Sequence, residues 1–260
     1  MWKIELSYPL SILWFIVQPF LWMVPFLLAG NAVVQGPESA ALAEATGIAD
    51  WVTYVALGSA LSGLVVSLLW GTGMTLRREQ NVGTLETLMT TPVRRTTLVW
   101  GSGLHNIQHG GLGVLLQLAA SIVFFGVTIN AWGIFPALLI VALGIVGLQG
   151  VIYAVACIVL VAKQGWMIVE ILGSSLMLIA PFSYPLAVLP VTLQLIAMGQ
   201  PLSWMTEGFR NSLVFGLAAP GLLEAVLMLL LLDAVYLAVG SLLFKRTEQW
   251  VRKRGALAHF

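Results

Sequence analysis

Long runs of apolar residues alternate with short polar segments along this chain. Six runs are long enough to cross a membrane, since a transmembrane helix needs about 20 mostly apolar residues. None of them alternates at every second position, as barrel strands do, and backbone groups in lipid must be satisfied within the segment. The pattern therefore predicts six transmembrane helices, at about 12–34, 52–75, 99–128, 133–162, 166–188 and 222–244.

The segment 189–221 departs from this pattern because it contains several prolines and glycines. Such residues end or kink helices. We therefore predict a short re-entrant helical hairpin on the extracellular side, before the last helix, in place of a seventh span. Pro201, Glu207 and Arg210 are its candidate functional residues. Glu207 and Arg210 lie three positions apart and are predicted to form an ion pair.

The positions of the basic residues orient the chain. With six spans and the N-terminus inside, 11 of the 12 Lys and Arg residues lie in cytoplasmic segments, and Arg210 is the exception. A seventh span would move the five basic residues near the C-terminus to the outside, against the positive-inside rule. The sequence predicts one all-α polytopic transmembrane domain, residues 1–260, with both termini cytoplasmic.

Composition excludes several classes of protein. The chain is 59% hydrophobic and 9% charged, whereas a soluble domain carries roughly 25% charged residues. A soluble enzyme and an intrinsically disordered chain are both excluded, since disorder requires low hydrophobicity. The formal net charge of +1 argues against binding of nucleic acid, which favours a strongly basic face.

The cytoplasmic loop 77–96 carries the most informative pattern. Leu85, Leu88 and Met89 would form an apolar ridge on a short helix, with Gly83 and Thr84 before it. Such a ridge, in a loop too small for its own core, either docks in a groove of a partner protein or lies on the lipid headgroups. The candidate docking residues are Glu79, Gly83, Thr84, Leu85, Glu86, Leu88, Met89, Pro92 and Arg95.

The loop sequence runs Glu79-x-x-x-Gly83-Thr84-Leu85-Glu86-x-Leu88-x-x-Thr91-Pro92-x-x-Arg95, followed by Gly101. This pattern resembles the permease subunits of the ABC-2 family of ATP-binding-cassette exporters. The C-terminal part is also similar to that family, with Pro181-x-x-Tyr184-Pro185 and then Pro201-Leu202-x-Trp204. One feature departs from it: the family usually has a longer amphipathic helix before the first span, whereas only a short interfacial segment, 1–11, precedes it here.

The resemblance implies that the loop is a coupling helix that docks on an ATPase subunit. A phosphate-binding loop would need a lysine after a glycine, and none of the four lysines follows one. We therefore expect no cofactor in this chain, with ATP and Mg bound by two separate ATPase subunits. A second permease copy or a close homologue would complete the complex, in the cytoplasmic (inner) membrane of a prokaryote.

Polar residues within the predicted spans are the remaining candidates. His105, Asn106, His109 and Gln117 fall on one face of the third span. They could line a translocation path or dimer interface, or only form hydrogen bonds between helices. The His pair alone is a weak metal site, because no Asp or Cys lies near it in sequence, and no metal is expected.

Two carboxylates lie at membrane depth, Glu170 in the fifth span and Asp233 near the middle of the sixth. Ionisable residues inside a bilayer are costly and so suggest function. Glu170 could line an inner vestibule or pair with an arginine near the coupling loop. Asp233 could face the path, but we favour a structural, hydrogen-bonded role.

These observations favour the permease subunit of an exporter for an amphipathic drug-like compound or a lipid. A polysaccharide or glycolipid exporter of similar build is the first alternative. An ion-coupled carrier or channel, which would use Asp233 and Glu170 and need no ATPase, is the second.

Overall fold

A computed structural model describes residues 38–84, 95–161 and 165–254, together with 17, 21, 23–25, 28 and 87. This part of the chain is helical and contains one isolated antiparallel bridge, between Glu38 and Asp50. We number its α-helices in chain order: α1 Ala40–Thr46, α2 Trp51–Gly73, α3 Thr75–Val82, α4 Arg95–Phe125, α5 Ile134–Val161, α6 Gly165–Ile179, α7 Val191–Met198, α8 Pro201–Phe215 and α9 Leu222–Arg254.

Among the residues that the structure describes, four helices are long and apolar enough to cross a membrane, at Trp51–Gly73, Trp100–Phe125, Ala131–Val159 and Leu222–Trp250. They correspond to the second, third, fourth and sixth predicted spans, whose helical character is confirmed. The first predicted span and the segment 1–11 lie largely outside the described residues. The count of six spans and the cytoplasmic position of both termini therefore stay predictions.

The predicted fifth span is wrong in its extent. The helix α6 ends at Ile179 and has 15 residues, whereas the apolar run continues to residue 188. Pro181 explains the early end, because the residue before a proline is disfavoured in the helical region. The chain then bends through 180–185 before a short 3₁₀ turn, Leu186–Val188.

The interrupted helices predicted for 189–221 are present as α7 and α8. They are separated by Gly199 and Gln200, and Pro201 occupies the first turn of α8, where its missing N–H costs nothing. The Tyr236 hydroxyl of α9 donates to the Gly199 carbonyl at 3.0 Å. Tyr236 lies 14 positions after Leu222, or about 20 Å along α9. The turn of this hairpin therefore reaches about halfway down the long helices.

The bundle is built from two tightly packed helix pairs, α2 with α4 and α5 with α9. The helix α8 packs against α5, α9 and α2 and carries most of its residues buried. Glycines allow the closest approach: a Cβ on Gly240 of α9 would lie 2.3 Å from the carbonyl oxygen of Gly150 on α5. Small residues at such contacts are how helices pack without a hydrophobic driving force in lipid.

Candidate functional site

The end of α3 defines the start of the loop that the sequence predicts to be cytoplasmic. Gly83 has a φ of +79°, a left-handed conformation that glycine adopts without strain. The Thr84 N–H donates to the Glu79 carbonyl at 3.0 Å, and its hydroxyl donates to the Glu79 carboxylate. The helix therefore ends at Val82, and Gly83 turns the chain just before the predicted apolar ridge. The remaining docking candidates Leu85, Glu86, Leu88, Met89 and Pro92 lie outside the described residues, and Arg95 is the first residue of α4.

Asn106 holds α4 to α2 near the helix ends that flank the loop. Its amide nitrogen donates to Thr72 Oγ1 at 3.1 Å and to Ser102 Oγ at 3.3 Å. The Thr75 hydroxyl donates to Ser102 Oγ at 2.7 Å. A Cβ on Gly71 would lie 2.3 Å from the Asn106 side-chain oxygen, so the glycine makes room for this cluster. Asn106 therefore forms hydrogen bonds between helices, and its place on a translocation path or dimer interface stays a prediction.

Gln117 lies on the same predicted face of α4 as Asn106, nearer the other end of the helix. Its Nε2 donates to Ser59 Oγ of α2 at 2.7 Å, and both side chains are buried. His105 and His109 are half-buried, with ring centroids 6.4 Å apart. No group of three or more His, Cys, Asp and Glu residues that could hold a metal lies within the part of the chain that the structure describes.

A groove between α2 and α6 has a volume of about 430 Å³. Its lining is mainly apolar, with hydroxyl groups at intervals and a single carboxylate, Glu170. The Ser174 hydroxyl donates to that carboxylate at 3.4 Å. At the other end, the buried Tyr184 hydroxyl has no hydrogen-bond partner among the residues that the structure describes. The groove is lined by Ser62, Val66, Leu69, Trp70, Glu170, Gly173, Ser174, Met177, Leu178, Ala180, Phe182, Ser183 and Tyr184.

Arg210 of α8 is buried in the protein, with 1% of its surface exposed. Its Nε donates to the Tyr54 carbonyl at 3.1 Å, and its Nη2 donates to the carbonyls of Pro181 at 2.8 Å and Phe182 at 2.9 Å. Its Cζ lies 3.6 Å from the centroid of the Tyr54 ring, a cation–π contact. These contacts bring α2, α8 and the segment after α6 together at one residue.

The hydrogen bonds of Arg210 go to backbone carbonyls of other segments and not to Glu207, the partner that its spacing along α8 predicted. The two side chains attract each other electrostatically, and a direct ion pair between them stays a prediction. Glu207 is partly buried on α8, which is not one of the spanning helices. Burial raises the pKa of its carboxyl, and the positive charge of Arg210 only partly offsets this.

Asp233 of α9 is 5% exposed, and within the described ranges of the chain neither of its carboxyl oxygens has a hydrogen-bond partner. The prediction of a hydrogen-bonded Asp233 is therefore wrong. The side chain faces Gly147 of α5, where a Cβ would lie 2.3 Å from its Oδ1, and Pro201 lies against the same glycine. Asp233 thus sits beside the first turn of α8, whose positive helix-dipole end favours a negative group.

Two residues of α2 that contact Arg210, Tyr54 and Gly58, could not be singled out from the sequence. Tyr54 resembles any aromatic residue near the end of a span. Gly58 is a glycine inside an apolar helix, a pattern that often marks a close approach of two segments, but many glycines of this chain share it. Their partners, at 181, 182 and 210, are far away in sequence.

Long apolar helices around an amphipathic groove define a multi-pass membrane protein. The family model described as ABC-2 type transporter matches residues 6–214, most of the chain, and the protein belongs to this family. The ABC-2 membrane domain is the permease component of a transporter, not its ATPase, and such domains typically partner with ABC ATPases. A comparison with curated proteins finds no match.

Proposed function

We propose that this protein is the membrane-spanning permease subunit of an ABC exporter that moves an amphipathic drug-like compound or a lipid out of the cell. The groove between α2 and α6 is the observation that supports this substrate class. Its apolar walls, interspersed hydroxyls and one carboxylate suit a molecule with a large apolar part and a polar end. Two copies, or this chain and a close homologue, would form the path, in the cytoplasmic membrane of a prokaryote.

In this proposal, energy comes from two separate ATPase subunits that bind ATP and Mg. They would dock on the coupling loop 77–96, which runs from within α3 to the start of α4. Both ends of the loop are connected to α2. On one side, α3 follows α2 after Met74; on the other, Asn106 bonds α4 to α2. Trp70, on α2 close to this cluster, lines the groove. A push on the loop would therefore reach the wall of the path through α2.

The docking role is tested with the double variant Glu86→Lys plus Leu88→Glu, which reverses a charge and interrupts the apolar ridge. The permease is purified with the ATPase encoded by a neighbouring gene, and both co-purification and ATP-dependent export from vesicles are measured. We expect both to be lost. Glu44→Lys, a charge reversal in α1 at the opposite end of α2, is the matched control and should retain both. Undiminished binding and export in the double variant would refute the docking role.

One observation favours a second candidate, an ion-coupled carrier. Asp233 is a buried carboxyl without a hydrogen-bond partner, as expected for a site that binds and releases a proton. This candidate predicts pH- or sodium-dependent flux in proteoliposomes that contain the permease alone. Flux only in the presence of the ATPase and ATP would exclude it and support the exporter.

A further inference from the structure

The environment of Arg210 requires an explanation, because burying a positive charge is unfavourable unless other groups compensate it well. Its hydrogen-bond acceptors are three main-chain carbonyls, those of Tyr54, Pro181 and Phe182. The Tyr54 ring covers one face of the guanidinium. Hydrogen bonds from an ionised donor are about twice as strong as neutral ones. The contacts of Arg210 therefore hold main-chain segments together.

Two of these carbonyls belong to the segment where α6 has been broken. The helix ends at Ile179, so the carbonyls of Pro181 and Phe182 have no place in an α-helical ladder and need other donors. The same segment forms one end of the groove, through Ala180, Phe182, Ser183 and Tyr184. Arg210 thus binds the backbone of the wall that closes the groove at the end of α6.

Gly58 provides a second, independent sign that this wall is held against α2. A Cβ at this position would lie 1.7 Å from the Phe182 carbonyl oxygen and 2.4 Å from Arg210 Nη2. No side chain could be accommodated there without moving the backbone of the segment. The carbonyl that Arg210 binds is therefore in direct contact with the surface of α2.

We propose that Arg210 is a positioning residue that links the wall 180–184 to α8 and holds both against α2 through its contacts with Tyr54. This inference rests on the proposed function and concerns the same groove. Because α7 and α8 form the hairpin at the predicted outer side, a displacement of α8 that breaks the contact between Arg210 and Tyr54 would carry the wall away from α2 and open that end of the groove. With Arg210 bound, the wall stays on α2 and the groove stays closed there.

The test uses a cysteine reporter on the wall. The chain has one cysteine, Cys157, so Ser183→Cys in a Cys157→Ala background gives a single thiol at a buried position. The complex with its ATPase is reconstituted in vesicles, and the labelling rate with a charged, membrane-impermeant maleimide is measured. A second reporter, Ser174→Cys on α6 in the same groove, shows whether a change is local to the wall.

Arg210→Met and Gly58→Ala disturb the same contact from its two sides. In both, we expect the Ser183→Cys reporter to be labelled about tenfold faster or more, since loss of hydrogen bonds to a charged group shifts a local equilibrium by at least that factor. The Ser174→Cys reporter should change far less. Gly111→Ala is the matched glycine control, because nothing lies within 4 Å of a Cβ there, and its labelling should equal that of the parent.

A functional measurement distinguishes a positioning role of Arg210 from a purely structural one. In Arg210→Met we expect the apparent KM for export of a fluorescent amphiphile such as rhodamine 6G to change more than the maximal rate. Unchanged labelling of Ser183→Cys in both variants would overturn the proposal. Failure of both variants to assemble, while Gly111→Ala assembles, would also overturn it, because a positioning role requires that the fold survive. Labelling needs no substrate, so absence of transport in the parent protein would count against the proposed function alone.

Discussion

The contact between α5 and α9 gives the most quantitative prediction. A Cβ on Gly150 would lie 2.3 Å from the carbonyl carbon of Tyr236 and 2.4 Å from its oxygen. Both are backbone atoms, and real Cβ atoms essentially never approach within 3.0 Å of another heavy atom. The substitution Gly150→Ala therefore cannot be relieved by rotating a side chain. The two helices must separate by a large part of an ångström along a packed interface.

The expected change in the free energy of unfolding combines two effects of opposite sign. Overpacking a well-packed contact costs about 1–3 kcal/mol, and replacing glycine by alanine inside a helix contributes up to about 1 kcal/mol in favour of the helix. We expect Gly150→Ala to be destabilised by about 1–2 kcal/mol, which is a roughly 5- to 30-fold change in the ratio of folded to unfolded protein. Gly111→Ala, where the space is open, should show only the favourable effect.

The assay is equilibrium unfolding in mixed detergent micelles, followed by circular dichroism. We expect the midpoint to fall for Gly150→Ala and to stay the same or rise for Gly111→Ala. Gly240→Ala, whose Cβ would lie 2.3 Å from the Gly150 carbonyl oxygen, should behave like Gly150→Ala. Equal midpoints for all three variants would refute the argument that backbone contact at these glycines limits the approach of α5 and α9.

Three further predictions use the same assays. Asp233→Val should raise the free energy of unfolding by about 1–2 kcal/mol, because it removes a buried carboxyl for which the described residues provide no hydrogen-bond partner. A free energy of unfolding below that of the parent protein would mean that the carboxyl is hydrogen-bonded in the membrane. Asn106→Ala should lower it by about 1 kcal/mol through loss of the bonds to Thr72 and Ser102, and an unchanged midpoint would contradict this. Gly83→Ala should lower the free energy of unfolding by about 1–2 kcal/mol, because alanine is strained at the left-handed φ of this position. It should also reduce co-purification of the ATPase. Unimpaired co-purification would show that the direction in which the loop leaves α3 does not matter for docking.

The positions of the long helices could be predicted because their signal is local. A helix satisfies its own backbone hydrogen bonds, so an apolar run of sufficient length forms one in lipid without reference to the rest of the chain. The interruption between α7 and α8 is also local, since Gly199 and Pro201 act on their own neighbours. The early end of α6 could have been predicted as well, because Pro181 carries the same signal. The apolar run across it concealed the break.

The contacts of the candidate site residues were harder to predict from the sequence than the helices. Asn106 and Gln117 could be assigned to one helix face from their spacing, but their partners on α2 could not. Glu170 could be singled out from the sequence as an intramembrane carboxylate. The groove beside it could not be predicted, because it forms only when α2 packs against α6. Asp233 was singled out for the same reason, and the tertiary structure reversed its expected environment from bonded to unpartnered.

By itself, the sequence determined that this is an all-helical protein with several membrane-crossing helices, and the loop motif indicated the family to which it belongs. The tertiary structure decided what the few buried polar groups do. Arg210 is the clearest case, since its bonding partners Pro181 and Tyr54 lie 29 and 156 positions away. Spacing along α8 suggested Glu207 as its partner, yet a buried guanidinium bonds to whichever acceptors the packed helices bring to it. Local periodicity specifies a helix and its faces, whereas contacts between distant segments exist only after the helices have packed.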